Sequence, residues 1–563
     1  MKIQDIRTII GAHETYWDSR SAEMRAFSNV YKAQMFGDKT GRMTAEFVTI
    51  ETSDAYGVVE STVSSLFPKA PSVVVGADVS DKGSPEVAQS AINQFLFDKA
   101  IQVETALRYA LIFPCSFFKV GLQERDSALD SINMKAVKPW DILLDMDAEQ
   151  WDDQRFVGHR YYLPFSQAKQ QFGSKQGWNA GIKTDFLEAG KKRRSTESSA
   201  PEEVSEALQY IEVWEIYDLL EDEMCFYSPN LSTSEGIIEK HKILFRKGDG
   251  SPLAPIVPMY LAHDVHTPLR GMSTVGRQYD AFFEINNLRT VWANGVRRDV
   301  RMYLARKGIL DEESKAILAE NRDMSVVELD IPPDQSPNTA LSPMGKIPYS
   351  SDHSIYKAEI RSDLDRGSLM APFTRGQATM ATATEISAMA EYTASEIGKQ
   401  AKGRDEAIRM VAEVYLSLLT HLLETQPKGA KKEVVLLNKK PIVLTPEHFS
   451  AKFKIVAADG SSTPISGLIQ KQQLTELAPM LMQLGVPQQA ILEEIVNAYN
   501  LPEKFILDAQ EAIQKQEEAA AQQAQQAQQA PQMPNPEEGA GGIPVGGGAI
   551  ASAIRGGQLP QGR

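Results

Sequence analysis

Apolar residues recur at helical spacing near the start of the chain: Trp17, Met24, Phe27, Tyr31 and Met35, with Gly37 closing the pattern. A second helix is expected from Asp54, as its cap, through Phe67, stopped by Pro68 and Pro71. A third is expected from about Pro85 to Phe113, with Val87, Ile92, Phe95, Leu96, Val103, Leu107 and Leu111 on one face. The pattern then turns to short β-rich runs bounded by turn residues: 116–123, 132–138, 141–145, 158–163, 210–220, 224–228, 237–247 and 255–263. Residues 173–206 read as a surface loop holding the basic cluster Lys191-Lys192-Arg193-Arg194.

The second half changes character. Residues 277–305 read as one long helix, with Tyr279, Phe282, Phe283, Leu288, Val291, Trp292, Val296, Val300 and Tyr303 as a near-continuous apolar stripe. A break of some 45 residues follows, then a short helix from about Asp352 to Met370 and a Gly/Thr/Ala-rich link over 371–383. Thr384 is expected to cap a second long helix that ends before Pro427. Strand signals return at 434–438, 441–444 and 451–458, and helices are expected at 465–484, 488–498 and from about Pro502. The segment 531–563 is Pro/Gly-rich and reads as disordered, or ordered only on assembly.

Composition fits a folded chain of three or four domains: 563 residues, 42% hydrophobic and 24% charged. The 59 Lys and Arg against 74 Asp and Glu give a net charge of −15, which argues against a protein that grips nucleic acid by bulk positive charge. Two cysteines, Cys115 and Cys225, in apolar surroundings read as buried free thiols of an intracellular protein. The first residues lack the apolar stretch of a signal peptide, and no run is long enough to span a membrane.

Catalytic patterns are weak. The run GMSTVGRQ (271–278) has glycines at phosphate-loop spacing, but Arg277 and Gln278 stand where Lys and Ser/Thr would be needed. His263 and His266 flank Asp264 without a second metal-binding cluster. Asp145, Asp147, Asp152 and Asp153 gather around Trp151, as a metal-assisted nuclease would require, but without a partner motif. No G-x-S-x-G elbow occurs. Neither an enzyme nor a cofactor is expected.

The order of elements resembles the portal protein, or head-to-tail connector, of tailed bacteriophages, with a tail like that of some short-tailed phages. The strings that carry the resemblance are DAYGVVESTVSSLFPKAP, ETALRYALIFPCSFFKVG, VKPWDILLDMDAEQWDDQRFVGHRYYLP, PLRGMSTVGRQYDAFFEINNLRTVWANGVRRDVRMYLARKG and TATEISAMAEYTASEIG. Together they cover roughly residues 14–430. The resemblance implies an α+β, portal-type fold with a mixed α/β wing, long stem helices, a small α/β clip, a helical crown and a Gln/Ala-rich C-terminal tail. By position, residues 1–275 would be mainly wing, 276–305 the first stem helix, 306–350 the clip and 351–370 the second stem helix. Residues 371–383 would be the tunnel loop, 384–433 a long wing helix, 434–515 the crown and 516–563 a low-complexity tail, either a helical barrel or disordered.

The same resemblance implies a homo-oligomeric ring, normally of twelve subunits, at one capsid vertex of the virion, assembled in the host cytoplasm. Its partners would be double-stranded DNA in the channel, the terminase large subunit, head–tail adaptor or tail proteins, and capsid and scaffolding protein, with no membrane. A non-portal adaptor or tail protein is the alternative, and a packaging-associated nuclease or ATPase a weaker one. Residues 277–307 carry seven Lys or Arg and three acids, whereas 308–350 carry three and eight. Arg297, Arg298, Arg301 and Arg306 would form belts that face DNA or pair with a neighbouring subunit's acids. Arg297 and Arg301, four apart, would share one helix face. In the tunnel loop, Phe373, Thr374, Arg375, Gly376 and Gln377, the one cation is Arg375, expected to touch phosphate transiently.

Overall fold

The computed structural model describes residues 1–37, 48–77, 83–122, 128–175, 210–229, 237–248, 250–264, 271–298, 303–305, 308, 310–320, 330–332, 336, 341–343, 351–367, 383–425, 434–437, 440–449, 451–457 and 478. The chain divides into two units, Met1–Ile469 and Gln470–Arg563. Apart from Ala478, everything described belongs to the first. That unit mixes helix and sheet, as an α+β chain does.

Helix α1 (Ile3–Tyr31) leads to α2 (Asp54–Leu66), strand β1 (Val73–Ala77), α3 (Pro85–Asp98) and α4 (Ala100–Ile112). Strand β2 (Ser116–Leu122), the single turn α5 (Ala128–Ser131), β3 (Ile132–Val137), β4 (Ile142–Leu144) and β5 (Phe156–Pro164) follow, then α6 (Phe165–Phe172). Next come β6 (Tyr210–Asp218), β7 (Glu223–Tyr227), β8 (Ile237–Lys242) and β9 (Ile256–Met259). A turn, α7 (Thr274–Arg277), precedes α8 (Tyr279–Arg298), β10 (Tyr303–Ala305), α9 (Glu312–Glu320), β11 (Leu341–Pro343), α10 (Ser351–Gly367) and α11 (Ala383–Thr425). Strands β12 (Val434–Leu437), β13 (Lys440–Val443) and β14 (Phe453–Ala457) close the series.

Two sheets form the β body: β3-β2-β9, and the antiparallel meander β4-β5-β6-β7-β8. Helices α1, α2, α3 and α4 and the 43-residue α11 bury their apolar faces in one cluster with β2, β3 and β9. Phe95 stacks on Tyr415 with ring centroids 4.3 Å apart. Arg404, buried on α11, donates to the carbonyl of Leu66 at the C-terminal end of α2 and pairs with Asp405, placing positive charge where a helix ends in unpaired carbonyls. Gly403 lets α11 lie directly on the backbone of Tyr260, since a Cβ there would collide with that carbonyl.

Several expectations need correction. The apolar stripe over 277–305 is not one helix: α8 stops at Arg298, and Tyr303 lies in a strand opposite Pro343. Backbone pairing with β11 overrides the helical spacing there. The helix expected over 85–113 is two, divided at Lys99 (φ −102°, ψ 14°). The first helix ends at Tyr31, short of Gly37, and Ala33 just beyond it has φ 51°. Ser53, not Asp54, is the cap of α2, and Asp54 accepts from the Thr52 hydroxyl at 2.6 Å. Helix α11 begins one residue before Thr384. Strand β1 and helix α6 were not expected. Because β1 pairs with β14, Val73 lies opposite Ala457, and the 434–515 segment begins inside the first unit. The helices expected over 465–484, 488–498 and beyond Pro502, the basic cluster Lys191–Arg194 and the tail lie outside the described residues, Ala478 excepted.

Candidate functional site

The features that could act on a partner centre on α8, α10 and the insert between them. Helix α8 is fixed on one side by a polar ladder. Asn286, Thr290 and Asn294 stand four apart, so their side chains rise about 6 Å per step along one face. An extended segment, residues 48–52, advances about 6.6 Å per two residues. The periods match, and each side chain meets every second backbone group. The amides of Thr52, Ile50 and Val48 donate to Asn286 Oδ1 (2.8 Å), Thr290 Oγ1 (2.9 Å) and Asn294 Oδ1 (2.8 Å). In return the Thr290 hydroxyl and Asn294 Nδ2 donate to the carbonyls of Ile50 (3.1 Å) and Val48 (2.7 Å). Asn294→Leu leaves a buried amide and carbonyl without partners, at an expected cost of about 1–3 kcal/mol. Urea unfolding should show it, with faster hydrogen exchange at Val48. An unchanged midpoint would mean that the ladder contributes nothing.

On another side α8 packs against α10. Lys357 of α10 sits 5.3 Å from the ring centre of Trp292. Partial burial holds the Lys357 ammonium below its usual range, and the positive charges of Arg289 and Arg361 lower it further. None of the three cations has an ion-pair partner among the described residues, and the Nε of Arg289 is buried without a hydrogen bond. Beside them Val291, Trp292, Ile355 and Tyr356 remain between 44% and 57% exposed. Such a surface is apolar, aromatic and cationic together, as protein contacts often are.

The chain between the two helices returns on itself. Strand β10 pairs antiparallel with β11, Tyr303 opposite Pro343 and Ala305 opposite Leu341. Helix α9 lies within the insert that this pair closes, and Asp311 starts it by accepting the Ser314 amide at 2.7 Å.

The arginines singled out from the sequence are placed only in part. Arg297 and Arg298 are the last two residues of α8, and their side chains lie outside the described residues. So do Arg301, Arg306 and the whole of Phe373, Thr374, Arg375, Gly376 and Gln377. The helix face expected to be shared by Arg297 and Arg301 therefore lies outside the described residues as well. Sequence reading missed Arg289, Lys357 and Arg361, which lie on two elements far apart in the chain. It also missed the ladder, although polar residues at i, i+4 and i+8 interrupting an apolar helix were a usable signal.

The weaker chemical candidates have structural explanations. Arg155 binds Asp145 and also Asp147 (3.0 Å), and its guanidinium holds the Asp145 carboxyl below the usual range. Asp152 pairs with Lys247 at 2.9 Å. In the 271–278 run, Gly271 has φ 63° and leaves no room for a Cβ beside the carbonyl of Pro114, while the Ser273 hydroxyl caps α7 by accepting the Gly276 amide at 2.8 Å. Cys115 and Cys225 are free and buried, and burial raises both thiols, Cys225 to about 12. Among the described residues no group of three or more His, Cys, Asp or Glu could hold a metal ion, and no helix is long and apolar enough to cross a membrane.

No protein-family model matches the chain, and no curated protein matches it.

Proposed function

We propose that the chain is the subunit of a portal-type connector: a ring at one capsid vertex through which double-stranded DNA is packaged by a terminase motor and later leaves. Head–tail adaptor or tail proteins attach to the same ring, and capsid and scaffolding proteins surround it during assembly. The observation that carries this reading is the insert closed by β10 and β11 between the packed helices α8 and α10, followed by the 43-residue α11. In that arrangement α8 and α10 are stem helices and the insert is the clip. The exposed Val291, Trp292, Ile355 and Tyr356, beside three cations that have no ion-pair partner among the described residues, supply the lateral surface that a ring of identical subunits needs. The net charge of −15 suits a conduit, because bulk repulsion keeps a polyanion sliding while a few cations guide it.

Light scattering and negative-stain imaging of the purified chain test this together. Twelve copies of a 62.3 kDa chain weigh about 750 kDa and should appear as closed rings with a central hole. A monomer at all concentrations, or an open filament, overturns the proposal.

A further inference from the structure

A second region has the makings of a binding site. A groove of about 580 Å³ runs between α1 and the strands β3 and β5, within the roughly 300–1,000 Å³ of ordinary ligand sites. Five cations and three acids line it, in a chain whose overall charge is −15. Two of the acids are already committed: Arg160 lies 3.3 Å from Asp141 and 3.7 Å from Glu14. Arg25, Lys135 and Lys138 have no ion-pair partner among the described residues, and Arg25 and Lys135 are exposed.

We propose that this groove binds an acidic peptide segment of a partner protein. Unpaired cations call for an anion, and three observations favour a peptide over a nucleic acid. The aromatic walls have few open faces for a base: the Lys138 ammonium lies over Tyr109 (5.8 Å) and Trp140 (5.5 Å). The Trp140 ring is also met by Phe113 at 4.8 Å and by Trp17 at 6.3 Å.

The second observation is His13, which is 4% exposed and lines the groove. Its Nε2 is 3.0 Å from the Trp140 carbonyl, and burial pushes the imidazole down to about 4. The ring is therefore neutral, Nε2 carries the proton, and Nδ1 is an acceptor with no donor among the described residues. The third is Trp17, whose Nε1–H has no acceptor among the described residues. A peptide group offers an N–H and a C=O, one for each. A phosphodiester offers acceptors alone and leaves Nδ1 unmet.

The test is fluorescence anisotropy on the full chain with a fluorescein-labelled twelve-residue peptide of Asp, Glu and Phe. A lysine peptide of equal length and the oligonucleotide dT12 serve as competing probes. The acidic peptide should bind and lose about tenfold in affinity when salt is raised from 50 to 300 mM. Charge reversal at the exposed rim, Arg25→Glu with Lys135→Glu, should weaken it at least about tenfold while leaving thermal unfolding in place. Equal binding of the lysine peptide, or unchanged affinity in the rim variant, overturns the proposal. Tighter binding by dT12, displacing the acidic peptide, makes the groove a nucleic-acid site and overturns it too. None of these outcomes depends on ring formation, so the site and the connector reading can fail separately.

Discussion

Acidification from pH 7 to pH 5 is expected to remove about 4 kcal/mol of stability, well before most carboxylates titrate. The cause is two imidazoles held neutral. Burial pushes His13 from 6.5 to about 4, and the positive charge of Arg160 adds to the effect. Burial pushes His159 to about 3, with Lys119, Lys135 and Arg160 lowering it further and Glu215 opposing them. Around His13 stand the rings of Trp17 and Trp214, neither of which can compensate a charge there fully. In the unfolded chain both histidines take a proton near pH 6.5, whereas the folded chain refuses it until about pH 4 and pH 3. The folded pKa values are depressed, so the stabilisation is complete above about 6.5 and is lost as pH falls. Each tenfold change in proton affinity is worth about 1.4 kcal/mol, which gives about 2 kcal/mol per histidine at pH 5. Urea unfolding at pH 7, 6 and 5 measures the total. His13→Gln should lose roughly half of the pH slope. A wild-type stability that is flat over this range would show that both rings take up protons in the fold as readily as in the unfolded chain, and a loss of only about 2 kcal/mol that one of them does.

These two histidines illustrate what the sequence disclosed and what it hid. Eight histidines are visible in the chain, and the sequence pattern singled out only the HDVH pair. His13 matters because a helix near the N-terminus lays it against Trp214 of β6 and the carbonyl of Trp140, contacts between residues more than a hundred positions apart. Elements with a strong local signature were legible. The extent of α11, to within a residue or two, and the strands β4 to β8, β12 and β13, though not their pairing, follow from apolar period and turn residues. What failed was decided by distant backbone. Val73–Ala77 is a strand because Phe453–Ala457 is available to it, and Tyr303 leaves the helical stripe because Pro343 lies opposite. The arginine belt falls largely on residues outside the described ones, whereas the cations that do gather, Arg289, Lys357 and Arg361, come from two helices separated by the insert.

The junction of the two sheets carries the other large effect. Lys119 of β2, in the three-stranded sheet, reaches across to β6 of the meander and donates to Glu215 Oε1 at 2.8 Å and to the Tyr217 hydroxyl at 2.7 Å. The Tyr217 hydroxyl in turn donates to Glu215. Burial lowers the Lys119 ammonium, and Glu215 opposes that shift. Burial alone would raise the Glu215 carboxyl, but Lys119 and the Tyr217 hydroxyl outweigh it and hold it low. Both groups therefore stay charged because each has the other. Lys119→Met removes one charge and strands its partner between two sheets, so it should cost about 3–5 kcal/mol. Lys119→Met with Glu215→Leu removes both charges at similar volume and should recover most of that loss, since desolvating a buried pair offsets much of its attraction. The comparison separates a charge effect from a packing effect: if the double variant is as unstable as the single one, the fit of the lysine stem rather than the pair joins the sheets. If Lys119→Met costs under about 1 kcal/mol, water reaches Glu215 and the junction is open. A closed junction fixes the angle between the two sheets, and with it the side of the β body that the His13 groove presents to a partner.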